Sequence, residues 1–195
     1  MIDSAYLNTF AATLGSLPDV CLDPGLADSE VDAAENQYGF IFPPDLRAVL
    51  QFTLLVGEGF PNWRHDPTDF ITGRLNWPLE GILFDVEHND DIWPAEWGPR
   101  PERMDERFAV VTKLVVAAPK LDPIYSHRYI PAEPHENGNP VYSVYQTDII
   151  YYGTIWPITS IMNSGCRCRL GGSYSEVDSV LGRTLGVEQW VKAAA

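Results

Sequence analysis

Leu26-Ala27-Asp28-Ser29-Glu30-Val31-Asp32-Ala33-Ala34-Glu35-Asn36-Gln37-Tyr38-Gly39-Phe40-Ile41-Phe42-Pro43-Pro44-Asp45-Leu46-Arg47 is the stretch that decides the reading of this chain. Asp28 is placed to accept a backbone N–H of a first helical turn, and Val31, Ala34 and Tyr38 share one face. Gly39 suits the left-handed residue that ends such a helix. Pro44 fits the first turn of a second helix, where its missing N–H would have no partner anyway. Asp45 then meets the positive end of the dipole, and Leu46, Val49, Leu50, Thr53 and Leu54 form a stripe that runs up to Gly57. Two helices at an angle are expected, followed by Gly59-Phe60-Pro61-Asn62-Trp63.

Upstream, residues 5 to 14 read as a short helix with Tyr6, Phe10 and Leu14 near one face, and Pro18 to Gly25 as a turn-rich link. Downstream, Phe60 to Arg64 and Ile82 to Val86 have the length and composition of strands, separated by loops carrying Pro61, Pro67, Gly73 and Pro78. Pro101 opens a long helix to about Ala118, with Met104, Phe108, Val111 and Val115 spaced for burial and Pro119 ending it. Ile124 to Ile130, Val141 to Tyr145 and Ile149 to Tyr152 are β-branched and aromatic runs that suggest an antiparallel meander. Helices first and strands later predict an α+β fold: N-terminal helices on a mostly antiparallel sheet, a long helix in mid-chain and short helices at 174–182 and 186–194. Residues 1–195 are read as a single domain.

The chain of 195 residues is 45% hydrophobic, enough to bury about 70% of its unfolded surface without a metal or disulfide staple. Three cysteines, with Cys166 and Cys168 too close for a zinc knuckle, favour reduced thiols and a cytoplasmic location. No segment approaches the ~20 apolar residues a membrane span needs. The net charge is -14, and residues 1–46 hold eight carboxylates and no Lys, Arg or His. Such a charge repels nucleic acid and anionic membrane and attracts a basic protein; it also serves plain solubility.

The densest ionisable cluster is Asp85, Glu87, His88, Asp90 and Asp91, with Glu96 close behind and Trp93 and Trp97 interleaved. Three readings fit: a solvated acidic loop, a protein-binding edge with tryptophan anchors, or oxygen ligands for a divalent cation. The spacing matches neither an EF-hand loop nor a zinc helix, so neither metal nor cofactor is expected. His127, Arg128 and Asp148 have the residue types of a hydrolase relay but lack a nucleophile elbow. The structural alternative is an Arg128–Asp148 ion pair between neighbouring strands, with His127 capping a loop. Gly57-Glu58-Gly59 follows a helix instead of preceding one and so is no phosphate cradle. The tyrosines at 142, 145, 151 and 152 have no Lys or Arg among them, which removes the electrostatic half of nucleic-acid binding.

The ordered set of acidic cap, helix, Gly39-Phe40-Ile41-Phe42-Pro43-Pro44-Asp45-Leu46-Arg47, helix and Gly59-Phe60-Pro61-Asn62-Trp63 resembles the SUKH superfamily. Glu80 to Glu87, Trp97-Gly98-Pro99-Arg100-Pro101, His127 to Pro131 and Asn139 to Gly153 are similar to its bacterial branch, so the resemblance covers about 26–153. Residues 154–195 depart from it, with Pro157 where the family usually continues into a helix. The resemblance implies a non-enzymatic binding protein: in bacteria an immunity protein against a cognate toxin, in fungi a regulatory interaction module. Joined to the charge, it points to a basic, nuclease-type toxin docking on Trp63, Asp85, Glu87, Asp90, Asp91, Trp93, Glu96 and Trp97, helped by the helix face around Glu30 and Glu35.

Overall fold

Both helices of the Leu26–Arg47 region are present in the computed structural model, which describes residues 4–16, 20–154 and 190. Following α1 (Ser4–Leu14), α2 spans Asp28–Tyr38 and α3 spans Pro44–Phe52. Gly39 ends α2 at φ 69°, ψ 47° and Pro44 opens α3. The cap differs from expectation. Ala27 occupies it, its N–H is held by Glu30 Oε2 at 2.8 Å, and Asp28 Oδ1 turns to Gln51 Nε2 at 2.7 Å.

α3 stops at Phe52, earlier than its apolar stripe implies, because Thr53 turns extended and Thr53–Val56 becomes strand β2. Its antiparallel partner is β1 (Cys21–Pro24), inside the segment expected to be a link. The crossing is tight at Gly25, where a Cβ would lie 1.9 Å from the Gln51 carbonyl oxygen. Only glycine allows that approach.

The largest departure is α4, one continuous helix over Thr68–His88 that absorbs the strand expected at Ile82–Val86. Pro78 lies inside it. A mid-helix proline has no N–H for the carbonyl four residues back, here that of Arg74. The Tyr129 hydroxyl donates to that carbonyl at 2.9 Å instead. Phe60 to Arg64 is irregular rather than a strand, with Asn62 Oδ1 accepting the N–H groups of Arg64 and His65, each at 3.1 Å.

A single 3₁₀ turn (Ala95–Trp97) leads to α5 (Met104–Ala117). The meander follows as β3 (Leu121–Tyr125), β4 (Arg128–Pro131), β5 (Pro140–Tyr145) and β6 (Asp148–Thr154), antiparallel and in sequence order. The run from Ile124 to Ile130 is broken by a turn at Ser126, which has φ 47° and donates its N–H to the Gly59 carbonyl at 2.7 Å. β5 lies between β4 and β6, so Arg128 is not beside Asp148: its Nη1 donates to Ser143 Oγ at 2.7 Å, across the β4–β5 register.

Successive sheet side chains alternate between two cores. Ile124, Ile130 and Val141 pack with α1, α2, α3 and the small sheet; Leu121, Tyr129, Tyr142, Val144 and Ile149 pack with α4, α5 and Trp97. The fold is α+β, with helical layers on both faces of the main sheet. Trp190 joins the second core and donates Nε1–H to the Pro119 carbonyl at 3.1 Å. The expected helices at 174–182 and 186–194, and Cys166 and Cys168, otherwise lie outside the described residues. Among the described residues no helix is long and apolar enough to cross a membrane.

Candidate functional site

The eight residues expected to form one surface divide into three groups. Trp63 packs edge-on against Tyr38, Phe40 and Phe42, with Phe42 nearest at 5.0 Å between ring centroids, and belongs to the first core. Trp97 is buried in the second core, and the half-buried Trp93 packs on it edge-on at 5.3 Å while donating Nε1–H to the Gly98 carbonyl at 2.9 Å. The structure therefore corrects the expectation of outward tryptophan anchors: these indoles serve packing, because the Pro94–Gly98 turn folds them against α4 and α5.

The carboxylates also separate. Asp85 is half-buried, and its Oδ2 accepts both the Thr147 N–H at 3.0 Å and the Thr147 hydroxyl at 2.6 Å, clamping α4 to the β5–β6 hairpin. Glu87, Asp90, Asp91 and Glu96 remain exposed around the C-terminal end of α4. Asp90 meets Arg100 Nη2 at 3.0 Å with its own side chain almost fully solvated. Among the described residues no group of three or more His, Cys, Asp or Glu side chains is placed to hold a metal. On the other acidic face, Glu30 and Glu35 are committed internally. Glu30 receives a two-pronged contact from Arg64 at 2.5 and 2.9 Å, and Arg64 holds its carboxyl down at about 2. Glu35 accepts the Phe42 N–H at 3.0 Å and faces Arg47.

His127 does not assemble a relay. Its Nδ1 lies 3.1 Å from the neighbouring Ser126 Oγ, while Asp148 pairs with Tyr145 at the closed end of the β5–β6 hairpin. Burial, then the charges of Arg128 and Arg74, push the imidazole down to about 4, so it is neutral at pH 7.

What the sequence reading missed lies on α4. Phe70, Trp77 and Phe84 recur every seven residues and are 49%, 45% and 49% exposed; seven steps return to within about 20° of the same line on a helix. His88 extends the line, stacked on Phe84 at 4.1 Å between ring centroids. On one flank the helical spacing places Asp69, Glu80 and Glu87, all exposed. On the other, a Cβ at Gly81 would meet Gln146 Cα at 2.9 Å, so the hairpin carrying the exposed Tyr145 comes directly against the helix. Arg74, the only Lys or Arg in α4, turns inward to the carbonyls of Gly59 at 3.2 Å and Ser126 at 2.7 Å. The seven-residue recurrence was visible in the sequence, but it acquires meaning only once Thr68–His88 is a single helix.

Comparisons with protein-family models, with curated proteins and with solved structures found no match to this chain.

Proposed function

We propose that this protein is a non-enzymatic binding domain that presents an anionic surface to a basic protein partner, acting as a cytoplasmic immunity protein that neutralises a cognate toxin directed at nucleic acid. The observation that carries this reading is the exposed acidic end of α4. Of the seven carboxylates in residues 68–99, all but Asp85 are exposed, Asp90 being paired with Arg100, and Arg74, the single Lys or Arg of that span, is spent on interior carbonyls. A surface of this kind attracts cations over the ~8 Å Debye length of physiological salt and raises the encounter rate with a basic partner by ~10 to 10³-fold. An enzyme that binds phosphodiesters carries the positive counterpart of such a surface. The SUKH-like order of motifs across 26–153 supports the immunity role.

The test is co-expression with the product of any neighbouring gene that encodes a toxin. Restored growth, together with co-purification that weakens steeply between about 50 and 500 mM salt, is the expected result. Rescue without a complex, or a complex indifferent to ionic strength, would overturn the electrostatic reading.

A further inference from the structure

We propose that the aromatic face of α4, made by Phe70, Trp77 and Phe84 with Tyr145 of the β5–β6 hairpin, is the docking site for a basic amphipathic segment of the partner protein. This rests on the reading of the protein as a binder of a basic partner and assigns the contact that supplies its apolar part.

The helix has two apolar sides, of which the described residues cover one. Ile71, Pro78, Ile82 and Val86 are buried, the last two in the core shared with the sheet and α5, which completes the inward stripe a surface helix needs. Phe70, Trp77 and Phe84 form a second line about 10 Å apart along the axis. Single exposed apolar residues are ordinary, but three aromatic rings in line with a fourth on the adjacent hairpin are the large, stiff anchors that dominate interfaces. The spacing suits a partner helix laid along α4, which reads anchors at one- and two-turn intervals.

Charge decides between occupants. A second copy of this chain would bring the Asp69, Glu80 and Glu87 flank against another acidic surface, and an anionic membrane would do the same with its headgroups. A partner with apolar residues on one side and Lys or Arg beside them matches both the rings and the carboxylates. α4 offers such a partner no competing cation, since Arg74 points inward.

The probe is a labelled helical peptide of about 18 residues with Leu on one face and Lys on the other, long enough for five turns. Controls are its Leu/Glu counterpart and a Lys-only peptide of equal charge. Fluorescence anisotropy with the full-length protein at low salt is expected to show binding of the Leu/Lys peptide, weaker binding of the Lys-only peptide and none of the Leu/Glu peptide. The double variant Trp77→Ser/Phe84→Ser is expected to lose at least tenfold in affinity for the Leu/Lys peptide with an unchanged melting temperature. Glu80→Gln/Glu87→Gln is expected to lose severalfold and to flatten the salt dependence. Equal affinity in the serine variant overturns the docking site and leaves the basic-partner reading standing. No binding of either Lys-bearing peptide by the wild type overturns both. A wild-type dimer in sedimentation that Trp77→Ser/Phe84→Ser dissociates would identify a second copy as the occupant and overturn this proposal.

Discussion

Asp122 is fully enclosed in β3, with no hydrogen-bond partner for either carboxyl oxygen among the described residues. Burial raises its pKa well above the usual carboxylate range, Lys120 lowers it in part and Glu35 raises it further. A buried acid of this kind favours the proton, so the folded state holds it over a range in which the unfolded chain has released it. The associated stability is complete below the unfolded pKa near 3.9 and is lost as pH rises toward the folded value. Asp122→Asn keeps the shape and removes the charge. Urea unfolding from pH 5 to pH 9 is expected to show the variant gaining on the wild type as pH rises; a constant difference across that range would show that Asp122 does not titrate between the two states.

At the scale of elements, α4 tests how a helix tolerates an interior proline. Tyr129 is buried, and burial pushes its phenol up to about 12, so it remains a donor and supplies the hydrogen that Pro78 cannot. Tyr129→Phe is expected to cost about 1–2 kcal/mol by leaving the Arg74 carbonyl orphaned. In a Pro78→Ala background the cost should shrink, because an N–H returns to the ladder, and a double-mutant cycle measures that coupling. The same proline explains why α4 was not legible in the sequence: Pro67, Gly73, Pro78 and Gly81 punctuate it like loops, and a phenol 51 residues later repairs the break. The α2–α3 pair was legible because Gly39 and Pro44 are local signals that act within their own turns. The later strands of the meander were legible from their β-branched and aromatic runs. β1 and β2 were hidden because four-residue strands carry too little period, and their pairing depends on the missing Cβ of Gly25. Of the candidate site, the acids could be counted from the sequence, but the inward turn of Trp93 and Trp97 depends on the Gly98 carbonyl and a core formed by distant elements.

Across the molecule, several cations are committed to contacts within the chain. Arg47 serves Asp28, Asp32 and Glu35; Arg64 serves Glu30; Lys120 closes the end of α2 by donating to the Tyr38 and Gly39 carbonyls at 3.0 and 2.8 Å. The Arg64–Glu30 contact and the burial of His127 together give stability an acid limb with two parts. His127, held at about 4, binds its proton less readily when folded, so stability falls as pH drops from about 6.5 toward 4. Glu30, held at about 2, contributes stability above its unfolded pKa of about 4.3 that is lost as pH falls toward 2. Chemical denaturation of His127→Gln is expected to flatten the upper part and that of Glu30→Gln the lower; identical slopes in wild type and variants would refute the assignment. The contact at Gly81 bears on how any partner meets this molecule. With no methyl at that position and Asp85 gripping Thr147, helix and hairpin sit flush, so the backbones that carry Trp77, Phe84 and Tyr145 are already joined in the folded chain. Assembling that template is therefore part of folding rather than of association, and the entropy lost when a visitor lands falls mainly on the visitor.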